Sequence, residues 1–340
     1  MMVAVRTPLR VSLFGGGTDY PAYFHREPGA VLGFTIDKYI YLSALQLTSS
    51  VDYRYRLSYS QVENVDSVGA IRHPVIRSVL QHYGFDEPTD FSVQADLPAS
   101  AGLGSSSAFT VSVINLVSHL MGTPRTRMEL AREAIHVEQV LLRENVGVQD
   151  QLHASFGGIN RFDLRGDRFR IAPITISGHD LRVLANWMVL VDTGVKRHAS
   201  AIVAEQVRNT AQGSLDTELR EMLGLVDAAQ QVLEDAGRRD DASARIGRLL
   251  HQSWQIKKRL SAKVSAPEID DLYEFCLGNG AIGGKLCGAG GGGFLLMVVP
   301  PERRAGFEQA IGERQCVRFQ IDCQGTALLS SASPPNGALA

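Results

Sequence analysis

The sequence predicts an α+β fold, with strands and helices grouped in runs rather than strictly alternating. Three observations carry this expectation. Period-two alternation recurs through the first hundred or so residues. Two well-punctuated helices follow, and three longer helical stretches fill much of the second half. The last quarter returns to short apolar strands on either side of a glycine-rich loop. The chain has 340 residues, enough for two domains at roughly 150 each.

The elements follow in order. Residues 9–14 alternate, with Leu9, Val11 and Leu13 on one side and Arg10, Ser12 and Phe14 on the other, as a strand does. Residues 34–47 read as a second strand. Residues 51–60 set Tyr53, Tyr55, Leu57 and Tyr59 against Arg54, Arg56 and Ser58, a half-exposed strand, and 91–97 make another. Phe109, Val113, Leu116, Val117 and Leu120 form a helical stripe that Gly122 and Pro124 stop. Thr126 and Glu129 spell a capping box for a helix running to about Arg143. Short strands return near 157–164 and 168–174. The apolar run 183–192 reads as a strand at the crossing between two domains, placed at 1–180 and 181–340. Helices are expected over 198–212, 216–236 and 241–262. Ser265 and Glu268 form a second capping box, opening a helix that ends at Gly278–Asn279–Gly280. A strand at 282–287, a glycine loop, a strand at 294–300, a helix from Pro301 and a strand at 316–321 complete the ordered chain. The tail after Ser330 has a disordered composition.

Composition excludes several classes. Lys plus Arg is 34 and Asp plus Glu is 36, a net charge of −2, which is not the footprint of a nucleic-acid binder. Cys276, Cys287, Cys316 and Cys323 form no CxxC pair, so neither a zinc site nor a disulfide framework is suggested. The amino terminus is interrupted by Arg6, Pro8 and Arg10 and is no signal peptide. The apolar run from Phe294 is too short to span a membrane. A cytoplasmic setting is expected; the oligomeric state is not legible, and a homodimer is allowed.

Three glycine clusters suggest chemistry. Gly102-Leu-Gly-Ser-Ser-Ser-Ala108 lies between a strand and a helix. Unpaired N–H groups at a helix start, the helix dipole and close backbone access together make an anion cradle. A serine-capped glycine turn is the plainer alternative. Lys285-Leu-Cys-Gly-Ala-Gly-Gly-Gly-Gly293 formally contains G-x-G-x-x-G at 288–293. A strand rather than a helix follows it, so it is not a dinucleotide fingerprint. Its glycines suit a backbone passing close to a ligand. Phe14-Gly-Gly-Gly-Thr-Asp-Tyr20 follows the first strand, and Thr18 and Asp19 would suit a polyol. No Walker A motif is present.

Some polar residues also need explaining. Glu138 has Ala134, Ile135, Leu141 and Leu142 as helical neighbours, which turns a carboxylate towards apolar surroundings and calls for a cation or strong donors. Asp150, just past that helix and three residues after Gly147, is either a helix cap or a proton acceptor. Arg10 is a permanently charged donor on a strand with apolar neighbours. His136, His153 and His198 have no metal-ligand spacing.

Taken together, the Pro8–Asp19, Pro98–Ala108 and Lys285–Gly293 segments resemble, in order and spacing over nearly the whole chain, the superfamily of galactokinase, homoserine kinase, mevalonate kinase and phosphomevalonate kinase, the GHMP kinases. The resemblance implies a two-domain fold, with a ribosomal-protein-like N-terminal domain and an α/β-sandwich C-terminal domain, and an active site between the halves. It implies ATP and Mg²⁺, with Ser106 and Glu138 holding the metal and Asp150 as general base. Arg10 would offset charge on the transferring group. Gly102, Leu103, Gly104, Ser105, Ser106 and Ser107 would cradle the triphosphate, and Gly288, Gly290 and Gly291 would support it from the other domain. Gly16, Gly17, Thr18 and Asp19 would meet the sugar. Galactokinases carry Gly-Glu-His-Thr-Asp where this chain has Gly-Gly-Gly-Thr-Asp. That form, with Val195-Lys-Arg-His198, is more similar to heptose 7-phosphate kinases, which phosphorylate the anomeric hydroxyl of a sugar phosphate. Lys196 and Arg197 would then bind the substrate's own phosphate. A kinase for another polyol and a non-catalytic sugar or nucleotide sensor are the rival readings.

Overall fold

In a computed structural model, which describes residues 1–48, 50–99, 101–195, 200–312 and 315–332, the chain opens on β1 (Met2–Phe14). A short helix, α1 (Pro21–Phe24), leads to β2 (Gly29–Gln46). Then come β3 (Tyr55–Ser58), β4 (Val62–Val65), α2 (Pro74–Tyr83), β5 (Thr89–Ala95) and α3 (Ser105–Leu120). Helix α4 (Arg127–His136) runs into a π-helical turn, Val137–Leu141. Helix α5 (Gln149–Phe156), β6 (Ile159–Arg165), β7 (Arg168–Pro173), α6 (Gly178–Trp187) and β8 (Met188–Asp192) follow. The second half holds α7 (Ser200–Ala211), α8 (Asp216–Glu234), α9 (Ala242–Leu260), α10 (Pro267–Gly278), β9 (Gly283–Leu286), β10 (Phe294–Val298) and α11 (Pro301–Ile311). The last strands are β11 (Cys316–Val317), β12 (Ile321–Asp322) and β13 (Ala327–Ala332).

β2 is the hinge of a nine-stranded sheet. Its first part pairs with β6, its last part with β5, and the stretch from Leu32 to Leu45 with β1. The β1–β2 ladder shifts register between Pro8 and Leu9, where Pro8 has no N–H to give. Arg10 lies just beyond this irregularity, and its main-chain N–H donates to the Leu103 carbonyl at 3.0 Å. A second, four-stranded sheet runs β11-β8-β10-β9, all antiparallel. A single core joins Val3, Leu9 and Val11 of β1 with Val111 and Ile114 of α3, Val226 and Ala229 of α8, and Leu296 of β10. Both faces of β1 are therefore covered, which is why its later residues are buried without alternation.

Several expectations need correction. The run 183–192 is helix up to Trp187 and strand only from Met188, because Ser177 caps α6 through the Asp180 N–H and carries the helix into the apolar segment. β12 and β13 return to pair with β2 and β1, so the last strands belong to the first sheet rather than to a unit running 181–340. The tail after Ser330 begins within β13; residues 333–340 lie outside the described residues. The box at Ser265 does not form: α10 starts after Ala266 with Pro267 in its first turn and no side-chain cap, a residue type whose missing N–H suits that position. The Thr126–Glu129 box is present on both sides. No helix among the described residues is long and apolar enough to cross a membrane.

Candidate active site

The Gly102 loop is built by contact with both neighbouring segments. Helix α3 begins after Gly104, and no side chain caps it. The serine-capped turn is thereby excluded, and the first-turn N–H groups are left for a ligand. Ser105 and Ser106 line a cleft of about 910 Å³. A Cβ placed on Gly288 would sit 2.6 Å from the Gly102 Cα, so the two glycine loops touch backbone to backbone. That contact, more than ligand approach alone, demands glycine there. Gly288, Ala289, Gly290 and Gly292 line the cleft. Gly291 is not among the lining residues; it donates its N–H to the Val264 carbonyl at 2.9 Å and so anchors the loop. Leu103 is fully buried in the core, and its carbonyl holds Arg10; its side chain is not a ligand group.

Arg10 ties this loop to Asp150. Its Nε and Nη2 donate to the two Asp150 carboxylate oxygens, both at 2.7 Å. Its Nη1 donates to the Gly102 carbonyl, also at 2.7 Å. Such a fork fixes the plane of the carboxylate. Asp150 sits in the first turn of α5, with Val148 rather than itself as the cap, so the capping alternative is set aside. Both residues line the cleft.

The first glycine loop brings Asp19 to the same space. Asp19 accepts from the Gly17 N–H at 2.9 Å, and its main-chain carbonyl accepts from Val148 N–H at 3.1 Å. Gly147 leaves it room: a Cβ there would lie 2.0 Å from Asp19 Oδ2. Burial raises the Asp19 carboxyl to about 6, the Gly17 N–H opposing and the Asp150 charge adding to the rise. Gly16 and Gly17 line the cleft. Thr18 does not. Its hydroxyl is fully buried among the Gly15 and Ala30 carbonyls, at 2.8 and 2.9 Å, so its expected substrate contact is corrected to a role in holding the turn.

Glu138 is buried, as its neighbours suggested, but for a different reason. The π-helical turn adds a residue to the local repeat, and Leu141 is exposed. The Glu138 carboxylate accepts from Ser107 at 2.9 Å, Thr110 at 2.7 Å and Gln151. Its contacts with α3 thus run through Ser107 and Thr110 rather than Ser106, and neither Glu138 nor Ser107 lines the cleft. Burial pushes its pKa up to about 7 in spite of these three donors. All three are neutral, so among the described residues this carboxylate has hydrogen bonds but no counter-charge. Carboxylate and hydroxyl oxygens beside a deficit of positive charge fit a hard cation such as Mg²⁺.

Three features escaped the sequence reading. Lys257 of α9 lies buried in the cleft on a stripe with Ile246, Leu250 and Trp254; its spacing along that stripe was the available signal. Lys285 is also buried and lines the cleft. At the far end, His73 packs against Tyr59 and Phe109, ring centroids 5.0 and 4.8 Å away. Tyr59, His73, Val75, Leu97 and Phe109 give this end an apolar lining suited to a flat ring. Lys196, Arg197 and His198 lie outside the described residues.

Comparison with known proteins now adds to the geometry. Residues 70–158 match the model for the GHMP kinases N terminal domain, and residues 240–316 match the model for the GHMP kinases C terminal domain. The chain belongs to the GHMP kinase family. It is an ATP-dependent sugar kinase of that family. The chain is 29% identical over 305 residues, 85% of this chain and 86% of the relative, to a D-glycero-alpha-D-manno-heptose 7-phosphate kinase of Campylobacter jejuni. It is 24% identical over 347 residues, 94% of this chain and 95% of the relative, to a galactokinase of Thermotoga maritima. In fold it matches a crystal structure titled as a D-glycero-D-manno-heptose 1-phosphate kinase from Bacteroides thetaiotaomicron, with a TM-score of 0.74, 24% identity and coverage of 97% of this chain and 100% of that one. The two-domain GHMP kinase fold is common to both.

Proposed function

We propose that this kinase transfers the γ-phosphoryl group of ATP to the anomeric C1 hydroxyl of D-glycero-D-manno-heptose 7-phosphate, forming the 1,7-bisphosphate for nucleotide-heptose and surface polysaccharide synthesis. The observation that carries the reading is the convergence on one cleft of the Gly102 loop, the Arg10–Asp150 pair and Asp19. The C. jejuni relative supports the choice of sugar, as does the triple glycine at 15–17 in place of the galactokinase Glu-His.

The roles follow from placement. The first-turn N–H groups of α3 and the glycines at 102, 104, 288 and 290 hold the triphosphate, with Ser105 and Ser106 at its edge. The apolar end with Tyr59, His73 and Phe109 receives the base. Asp19, with Gly16 and Gly17, grips sugar hydroxyls. Asp150 accepts the proton of the attacking hydroxyl at a carboxylate oxygen, with its plane held by Arg10. Arg10 also adds positive charge beside the phosphate loop through its bond to Gly102. Ser106, at the cleft wall, would hold Mg²⁺, which when bound offsets negative charge on the β- and γ-phosphates; Glu138, outside the cleft lining and bonded to Ser107, would join it only by turning its carboxylate from that hydroxyl. Most of the rate enhancement in such a site comes from positioning and electrostatics.

A coupled ADP-release assay over a panel of sugars and sugar phosphates tests the proposal. D-glycero-D-manno-heptose 7-phosphate should give the highest kcat/KM. A higher value with galactose, fucose or any unphosphorylated sugar would remove the heptose assignment. No turnover with any sugar would return the sensor reading.

A further inference from the structure

Lys257 and Lys285 have no part in the roles just assigned, yet both line the cleft. They are 7% and 3% exposed. Lys257 Nζ donates to the carbonyls of Leu286 at 2.9 Å and Gly288 at 2.5 Å. Lys285 Nζ donates to the Leu13 carbonyl at 2.9 Å. An ammonium carries three N–H donors, so neither lysine is saturated by these bonds. Among the described residues neither forms an ion pair with a carboxylate.

The surrounding charges sharpen the point. Lys257 and Lys285 repel one another, and Arg10 adds to the repulsion on both; Asp19 offsets Lys285 in part. Both carboxylate oxygens of Asp150 are already taken by Arg10. Burial, with these neighbouring charges, pulls Lys285 down to about 8 and Lys257 well below its ordinary value. Buried cations without a counter-charge are costly, and tethering carbonyls does not require a charge. A ligand that brings negative charge would supply what the protein lacks.

We infer that Lys257 and Lys285 form a phosphate-binding centre beside the second glycine loop. The inference rests on the kinase reading above, and it names residues that bind a substrate phosphate on the side of the cleft built by α9 and β9. Two sources fit this chemistry: the polyphosphate of the nucleotide, since Lys257 holds the Gly288 carbonyl and Gly288 touches Gly102, or the phosphate of the sugar, since Lys285 holds the end of β1 that leads into the Gly15–Asp19 segment.

Calorimetric titration of pyrophosphate, ADP and D-glycero-D-manno-heptose 7-phosphate into the wild type, Lys257→Met and Lys285→Met distinguishes these. Each methionine variant removes a buried charge but also leaves the carbonyls it held without their donor, so thermal unfolding serves to show that the variants fold. Binding of pyrophosphate and ADP, or of the heptose phosphate, should weaken about 10- to 100-fold, the range for a lost charged hydrogen bond. A loss confined to pyrophosphate and ADP assigns the nucleotide phosphates; one confined to the heptose phosphate assigns the sugar phosphate. Affinities within twofold of wild type for all three ligands, in either folded variant, overturn the proposal. Lys257→Gln and Lys285→Gln, which keep a neutral donor, stand in should a methionine variant not fold. If the wild type itself binds none of the ligands, it is the kinase reading that fails.

Discussion

Replacing Asp150 with asparagine separates its chemical role from its structural one. The wild-type carboxylate accepts two 2.7 Å bonds from Arg10. Asparagine keeps one oxygen to accept from the guanidinium and loses the other, together with the negative charge. Arg10 keeps its bond to Gly102 and its main-chain bond to Leu103. The structural loss is therefore about one charge-assisted hydrogen bond, roughly 1.5–3 kcal/mol of stability. The catalytic loss is larger. Without a general base, kcat should fall about 10²- to 10⁴-fold, equivalent to about 3–5.5 kcal/mol at the barrier. Thermal unfolding measures the first quantity, and steady-state ADP release at saturating substrates measures the second. ADP affinity by calorimetry should stay within about threefold of wild type, because the phosphate loop retains its other anchors. A folded Asp150→Asn enzyme with kcat within about threefold of wild type would refute the base assignment. A collapse of ADP affinity in parallel with kcat would instead make Asp150 a scaffold for the Gly102 loop.

Other consequences are equally open to measurement. Glu138 has a folded-state pKa raised from 4.5 to about 7, so its burial favours the protonated form; relative stability is highest below pH 4.5 and declines as pH rises through 7. Glu138→Gln should remove that decline, so the melting-temperature difference between variant and wild type should grow in the variant's favour from pH 5 to pH 8. A constant difference would mean that Glu138 titrates normally. The same variant should need more Mg²⁺ for half-maximal rate, and an unchanged metal titration would count against Glu138 as a metal ligand. Gly147→Ala places a methyl 2.0 Å from Asp19 Oδ2 and should displace that carboxylate, raising KM for the sugar about tenfold or more while ADP binding holds; an unchanged KM would remove Asp19 from the sugar site. Gly288→Ala combines a positive φ of 67° with a clash at the Gly102 backbone. It should cost a few kcal/mol of stability, read by denaturant unfolding, and weaken ADP binding; a variant as stable as wild type would show that the two loops are not in contact in solution.

What the sequence revealed and what it hid follow a physical rule. The Gly102 loop, the Thr126–Glu129 box and the helices of the second half were legible because their signals are local: backbone freedom, a cap and an apolar stripe all lie within a few residues. The two glycine loops could be found separately, but their contact at Gly102 and Gly288 could not, because it joins residues 186 positions apart by numbering, 288 minus 102. The Arg10–Asp150 fork was hidden in the same way, with a sequence separation of 140. Helix α2 went unread although Pro74 opens it and Gly84 closes it in the left-handed conformation; both are ordinary punctuation. Lys257 is the instructive case. On α9 it takes a core-facing position of a stripe otherwise built from Ile246, Leu250 and Trp254, and an isolated reading treats such a lysine as one that reaches round to water. Only the fold places β9 and its glycine loop over that position, turning the ammonium away from open water onto the Leu286 and Gly288 carbonyls at the cleft wall. Local pattern thus locates loops that act through their own backbone and even a carboxylate among apolar neighbours such as Glu138, whereas Lys257 acquires its meaning only when tertiary packing decides which opposite charges are absent.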